Sequence, residues 1–155
     1  MRITLSMLLV LAGCATPYQE LGFMGGVEAQ RMTADTYRII ARGNAYTRGT
    51  DIQDYTLLKA AETTKAAGAT HFAIITSANA SRAGSFVTPG QAQTSVMGNM
   101  AVTTYSPAMV HSYIKPGQDT YIQVFSVPQG QQPPFGAVSA EEVIRYVGTR
   151  VRRPT

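Results

Sequence analysis

The sequence predicts a single α+β domain, two helices packed on one side of a mixed or antiparallel sheet of four to five strands. Three observations carry this expectation. Tyr37–Arg42 alternates apolar and basic side chains, as a half-buried strand does. Residues 50–67 bring Leu57, Leu58, Ala61 and Thr64 to one helical face, and Ser139 opens a second pattern of the same kind. Between them, His71–Thr76 and Tyr121–Ser126 are apolar runs of strand length.

In chain order, Arg2 precedes the apolar run Ile3–Ala12, which leads to Gly13 and Cys14, the only cysteine. A charged start, a short apolar stretch and small residues before a cut make a secretory signal over residues 1–13. The run is about half of the ~20 residues that a membrane-spanning helix needs. Leu11-Ala12-Gly13-Cys14 resembles a lipobox, at which the cysteine is acylated and the peptide is cut before it. Acylation of Cys14 would leave the exported chain without a thiol, so packing alone must stabilise it. Each buried acyl CH₂ contributes about 0.8 kcal/mol, and several chains on one residue hold almost irreversibly. Similarity to Gram-negative lipoprotein sorting, with Ala15 rather than Asp after the cysteine, implies the outer membrane and a body facing the periplasm.

Residues 14–35 read as the lipidated N-terminus and a tether, because Pro17, Gly22, Gly25 and Gly26 interrupt few apolar positions. The domain occupies residues 36–153. Its first strand, Tyr37–Arg42, ends at Gly43-Asn44. Thr50 and Gln53 have capping-box spacing, and Asp51 and Asp54 suit the first turn of a helix. That helix runs to about Ala67, with Gly68 as its stop and Lys59, Glu62 and Lys65 spaced for solvent-side pairing. The short turn after Gly68 places His71–Thr76 against the first strand, in a direction the sequence leaves open.

Residues 77–100 are rich in Ser, Ala, Gly, Thr and Gln and read as a mobile insertion, with Phe86, Val87 and Met97 as candidate partner contacts. Ala101–Tyr105, Met109–Ile114 and Tyr121–Ser126 then predict an antiparallel meander around the turn at Lys115–Asp119. Gln129–Gly136 is a linker. Ser139 caps the last helix with Glu142, and Val143, Ile144, Val147 and Val151 form its inner face.

The charge excess is small: without residues 1–13, twelve Lys and Arg stand against nine Asp and Glu. Arg145, Arg150, Arg152 and Arg153 crowd the end of the chain, where cations offset a helix dipole. No nucleic-acid motif accompanies them, so no nucleic-acid partner is expected. His71 and His111 are the only histidines, which excludes zinc spacing, and no nucleophile elbow, phosphate loop or metalloprotease motif occurs. The expectation is therefore no catalytic residues, no metal and no cofactor.

Thr16-Pro17-Tyr18, Tyr37-Arg38-Ile39 before Gly43-Asn44, Tyr55–Glu62, and Ala140–Ile144 with Gly148 together resemble a family of small uncharacterised Gram-negative envelope lipoproteins. The resemblance implies a lipid-anchored envelope protein and assigns no catalytic or ligand residues. The function expected is a non-enzymatic partner-binding or assembly protein at the outer membrane, with a periplasmic module for glycan or lipid as the alternative. The membrane, through Cys14, and an envelope protein are the expected partners.

Cys14→Ser should abolish radiolabelled palmitate incorporation in cells. Equal labelling of the variant and the wild type would refute lipidation at this position.

Overall fold

The computed structural model describes residues 15–154. The expected signal peptide 1–13 and Cys14 lie outside the described residues.

Five strands form the main sheet: β1 (Gly26–Arg31), β2 (Thr36–Arg42), β3 (His71–Asn79), β8 (Gly117–Phe125) and β9 (Ala137–Ser139), in the order β1-β2-β8-β3-β9. All neighbours are antiparallel. Helices α1 (Gly49–Ala66) and α2 (Ala140–Tyr146) cover one face. The period-2 pattern explains the layering. Ile39 and Ala41 of β2, Phe72 of β3 and Ile122 of β8 are wholly buried under the helices, while Arg38 and Arg42 turn to the opposite face. Ile52, Tyr55, Leu58 and Ala61 of α1 complete the core.

The α+β class, the two helices and the antiparallel pairing agree with expectation. The strand count does not. Four further strands, β4 (Arg82–Thr88), β5 (Gln91–Met97), β6 (Met100–Ser106) and β7 (Met109–Lys115), form two separate ladders, β4 with β7 and β5 with β6. The expected meander is thus a nested hairpin, in which β6 pairs with β5, β7 with β4 and the later strand β8 with β3. The segment 77–100 is strand for most of its length rather than an irregular insertion. Its side chains bury little, but ladder hydrogen bonds need no buried apolar surface, and composition alone could not register them.

The first strand and His71–Thr76 do not touch either. Both pair with β8, so they run parallel to each other with β8 between them. Helix α1 makes the crossover. It begins without the expected capping box: Arg48 is the N-cap residue, no side chain caps the helix, and Arg48 pairs with Asp51 at 2.7 Å. Its end is as expected. Gly68 has φ 75°, and the amides of Gly68 and Ala69 close onto Lys65 O and Thr64 O. For α2, Ser139 Oγ accepts from the Glu142 amide at 3.4 Å. Val143, Val147 and Val151 reach the core, whereas Ile144 lies at the surface.

The largest correction concerns residues 15–35. They are not a tether. Thr16, Tyr18 and Val27 are buried, and β1 is an edge strand of the sheet. Glycines that read as flexible are there for close approach. A Cβ on Gly26 would lie 2.5 Å from Glu20 O, and the residue has φ 131°. The solvent-side pairing expected along α1 is also redirected, because Lys59 binds Glu20 at 2.7 Å and Glu62 binds Tyr18 and Arg153.

Leu58→Ala should lower unfolding free energy by about 2–5 kcal/mol, the usual cost of a core cavity. Glu20→Gln, which weakens an exposed pair, should cost under about 1 kcal/mol. Equal shifts in a urea titration would show that Leu58 does not pack as described.

Candidate functional site

Two features at one end of the sheet remain unused by the core. The first is the docked N-terminal segment and a cleft beside it. The Thr16 amide donates to Thr47 Oγ1 at 3.0 Å, its hydroxyl donates to Met24 O at 2.8 Å, and the Tyr55 hydroxyl donates to Thr16 O at 2.8 Å. Tyr18 packs edge-on to Tyr55, under the guanidinium of Arg153, and its amide donates to Arg152 O. Burial, then the bond to Glu62, pushes the Tyr18 hydroxyl far above its ordinary range, so it stays protonated. Beside Thr16 opens a cleft of about 760 Å³ between the N-terminal strand of chain and the C-terminal tail. Four arginines (48, 150, 152 and 153) and two aspartates (51 and 54) line it, a net positive rim. Arg48 and Arg150 are paired to Asp51 and Asp54, while among the described residues Arg152 has no ion-pair partner. The expected dipole role holds for Arg145, which lies in the last turn of α2. The other three arginines lie past the helix. Next to Thr16, the tight turn Gly22–Gly25 holds Phe23 fully exposed and Met24 largely so.

The second feature is an arm. The pairing register of β3 with β8 passes without a shift from Thr76–Tyr121 through β4–β7 and β5–β6 to Met97–Met100 at the tip. Gly98, with φ 64°, opens the two-residue tip loop, a position that favours glycine. Pro89-Gly90 and Pro107-Ala108 interrupt the ladder once. From Arg82 to Met97 the arm has a contour of roughly 50 Å at about 3.3 Å per residue. Nearly all its side chains are exposed, and no residue from Ala83 through Ile114 is Asp, Glu, Lys or Arg. Among the described residues, both outer edges of the arm are unpaired.

The arm leaves the sheet at the end where the N-terminal segment docks. The Gly43 amide donates to Pro116 O at 2.8 Å, and the Asn44 amide donates to Thr16 Oγ1 at 3.0 Å. Arg38 and Arg42 converge on Asp119 at 2.5 and 2.6 Å, and Arg42 also donates to Gln118 O, which braces this root.

Of the residues singled out from sequence, Phe86, Val87 and Met97 all lie exposed on the arm without forming one patch. Phe86 stacks on His111 at 4.9 Å, Val87 points to the other face beside Val110, and Met97 is at the tip opposite Met100. Sequence reading did not choose as contacts Val96, Met100, Val102, Tyr105, Val110 and Ile114, which are similarly exposed. The absence of charge over the whole stretch was the signal that joins them. Among the described residues, no group of three or more His, Cys, Asp or Glu side chains is placed to hold a metal, and no helix is long and apolar enough to cross a membrane.

Comparison with protein-family profiles, with curated proteins and with solved structures finds no match to this chain.

Burial alone would raise the Asp119 carboxyl, but the bonds and charges of Arg42 and Arg38 outweigh it and hold the group below the ordinary carboxylate range. A carboxyl whose folded pKa is depressed contributes stability above its unfolded value, about 3.9, and loses it as pH falls through the folded value. Wild type should therefore lose this increment on acidification below about pH 4. Asp119→Asn should be less stable by about 1–3 kcal/mol at pH 7 and show a flatter loss below pH 4. Parallel stability–pH curves for the two proteins would refute the role.

Proposed function

We propose that this chain is a lipoprotein of the outer membrane, anchored by acyl chains on Cys14 and facing the periplasm, and that it works without catalysis by presenting its arm to a partner. One observation carries the reading: a long uncharged hairpin, exposed on both faces and both edges, stands out from a well-packed body. Apolar side chains spread over such a surface are usually covered in the working assembly. Unpaired edges are the natural place for strand addition, and proteins that must avoid it guard them with charge. This arm has no such guard.

Anchoring is supported by the lipobox-like Leu11–Cys14 and by the position of Thr16. Only Ala15 separates the expected acylation site from a buried residue, a reach of at most about 7 Å. An acylated Cys14 would hold the body against the bilayer, with Phe23 and the arginine-lined cleft near the lipid headgroups. Each basic side chain near an anionic surface contributes about 1 kcal/mol. The same cleft favours a second reading, a module that binds lipid or glycan there.

Replacing Ala83–Ile114 with a two-residue Asn-Gly turn separates the readings. The shortened protein should keep its melting temperature within a few degrees and its palmitate label, yet lose photo-cross-links to envelope proteins in cells. Unchanged cross-links would overturn the arm as the partner-binding element, and a ligand held in the cleft would still bind.

A further inference from the structure

We propose that the arms of several copies of this chain pair edge to edge and close into a β-barrel through the membrane that holds Cys14. The proposal rests on the anchored reading above. Thr16, two residues past Cys14, is joined through Asn44 and Gly43 to Pro116 at the root of the arm, so the arm leaves the body on its anchored side.

The arm suits that environment. A membrane-spanning strand needs about 9–11 residues; β4 and β5, seven residues each and separated by Pro89-Gly90, exceed this only together. Between Ala83 and Ile114 no formal charge has to leave water. The two faces of the outer ladder differ away from the tip, one carrying more apolar side chains and the other more polar ones. Ala92, Thr94, Val96, Ala101, Thr103 and Tyr105 share one face, while Gln91, Gln93, Ser95, Val102, Thr104 and Ser106 share the other, which ends at the tip in Met97 and Met100. The first face would meet lipid and the second would line a lumen.

A single hairpin cannot enter hydrocarbon, because its two edges would carry rows of unpaired N–H and C=O groups. Further copies cure this. Copies anchored in one leaflet point their arms the same way, so the outgoing strand of one lies antiparallel to the returning strand of its neighbour. That head-to-tail contact repeats and closes into a ring. Neutral arms add no mutual repulsion. Thr94 and Thr103 mark the edges. Their hydroxyls approach to 2.8 Å, as side chains do in pairs that exchange no backbone bonds, and the N–H and C=O of such pairs point outward.

The test uses the acylated protein reconstituted into phosphatidylethanolamine–phosphatidylglycerol vesicles loaded with calcein. With Cys14 acylated, an engineered cysteine is the only thiol. Chains bearing Thr94→Cys and chains bearing Thr103→Cys, mixed and oxidised in vesicles, should form mixed disulfide dimers at least tenfold above same-variant dimers. Wild type should release dye. Thr94→Pro with Thr103→Pro, which removes outward N–H groups and spares the inner ladder, should reduce release at least tenfold while the melting temperature of the body stays unchanged. Dye retention by wild type overturns the proposal. So do mixed dimers that form equally without vesicles and release nothing, the mark of an arm assembly in water. The same assays on Cys14→Ser chains, in the presence of reductant for dye release, separate the two ideas: release there with no palmitate label on the wild type would sink the anchor and leave the barrel standing.

Discussion

The antiparallel pairing of β3 with β8 governs both halves of the molecule, in two registers one residue apart. In its first half, Phe72 of β3 and Ile122 and Val124 of β8 lie beneath the helices. A slip of one residue would turn all three to solvent and bring their polar neighbours inside, so burial holds the register there. Past Ile74 the register shifts by one residue, and the shifted register continues to the tip and decides which residues of the arm face each other, although nothing covers them. Between Ile74 and Thr76 the pairing is irregular, and from Ile74 onward β3 is exposed. A bulge adds local twist and bends a strand. It lies where the ladder passes from core to arm.

The docking of residues 15–18 has a comparable reach. Thr16 alone engages Thr47, Met24, Asn44 and Tyr55, and Tyr18 joins Glu62, Arg152 and Arg153. Each hydrogen bond contributes only about 1 kcal/mol net, but leaving such groups buried and unpaired would cost more. The beginning of the described chain, its C-terminal tail, the start of α1 and the root of the arm are gathered at one end of the sheet as a result. A lipid on Cys14 would then orient a rigid body rather than suspend a mobile one, and the arm would share the membrane side.

Much of the body was legible in the sequence because local patterns there coincide with burial. Alternation in Tyr37–Arg42, the apolar stripe of α1 through Leu58 and Ala61, Gly68 as its stop and Ser139 before α2 all correspond to what the fold uses. Thr50 misled, since capping-box spacing also occurs inside a first turn, and the Arg48–Asp51 pair occupies the place of a cap. Glycines in 22–26 misled for a related reason. A glycine permits flexibility and permits close backbone contact, and the chain around it does not say which.

The arm and the N-terminal segment were hidden because their structure comes from distant partners. Phe86 meets His111 and Thr94 meets Thr103 across a hairpin, and neither pair has a local pattern to announce it. By itself the sequence determined the helices, the three central strands β2, β3 and β8, the likeness to an acylation site and the neutrality of Ala83–Ile114. Those are properties of neighbouring side chains and of composition. Only the tertiary structure decided that β8 separates β2 from β3, that residues 15–31 belong to the body, and that the arm is one registered hairpin rooted beside Thr16. Pairing of backbone groups far apart in the chain is set by which faces are buried together, and that choice is made by the whole fold.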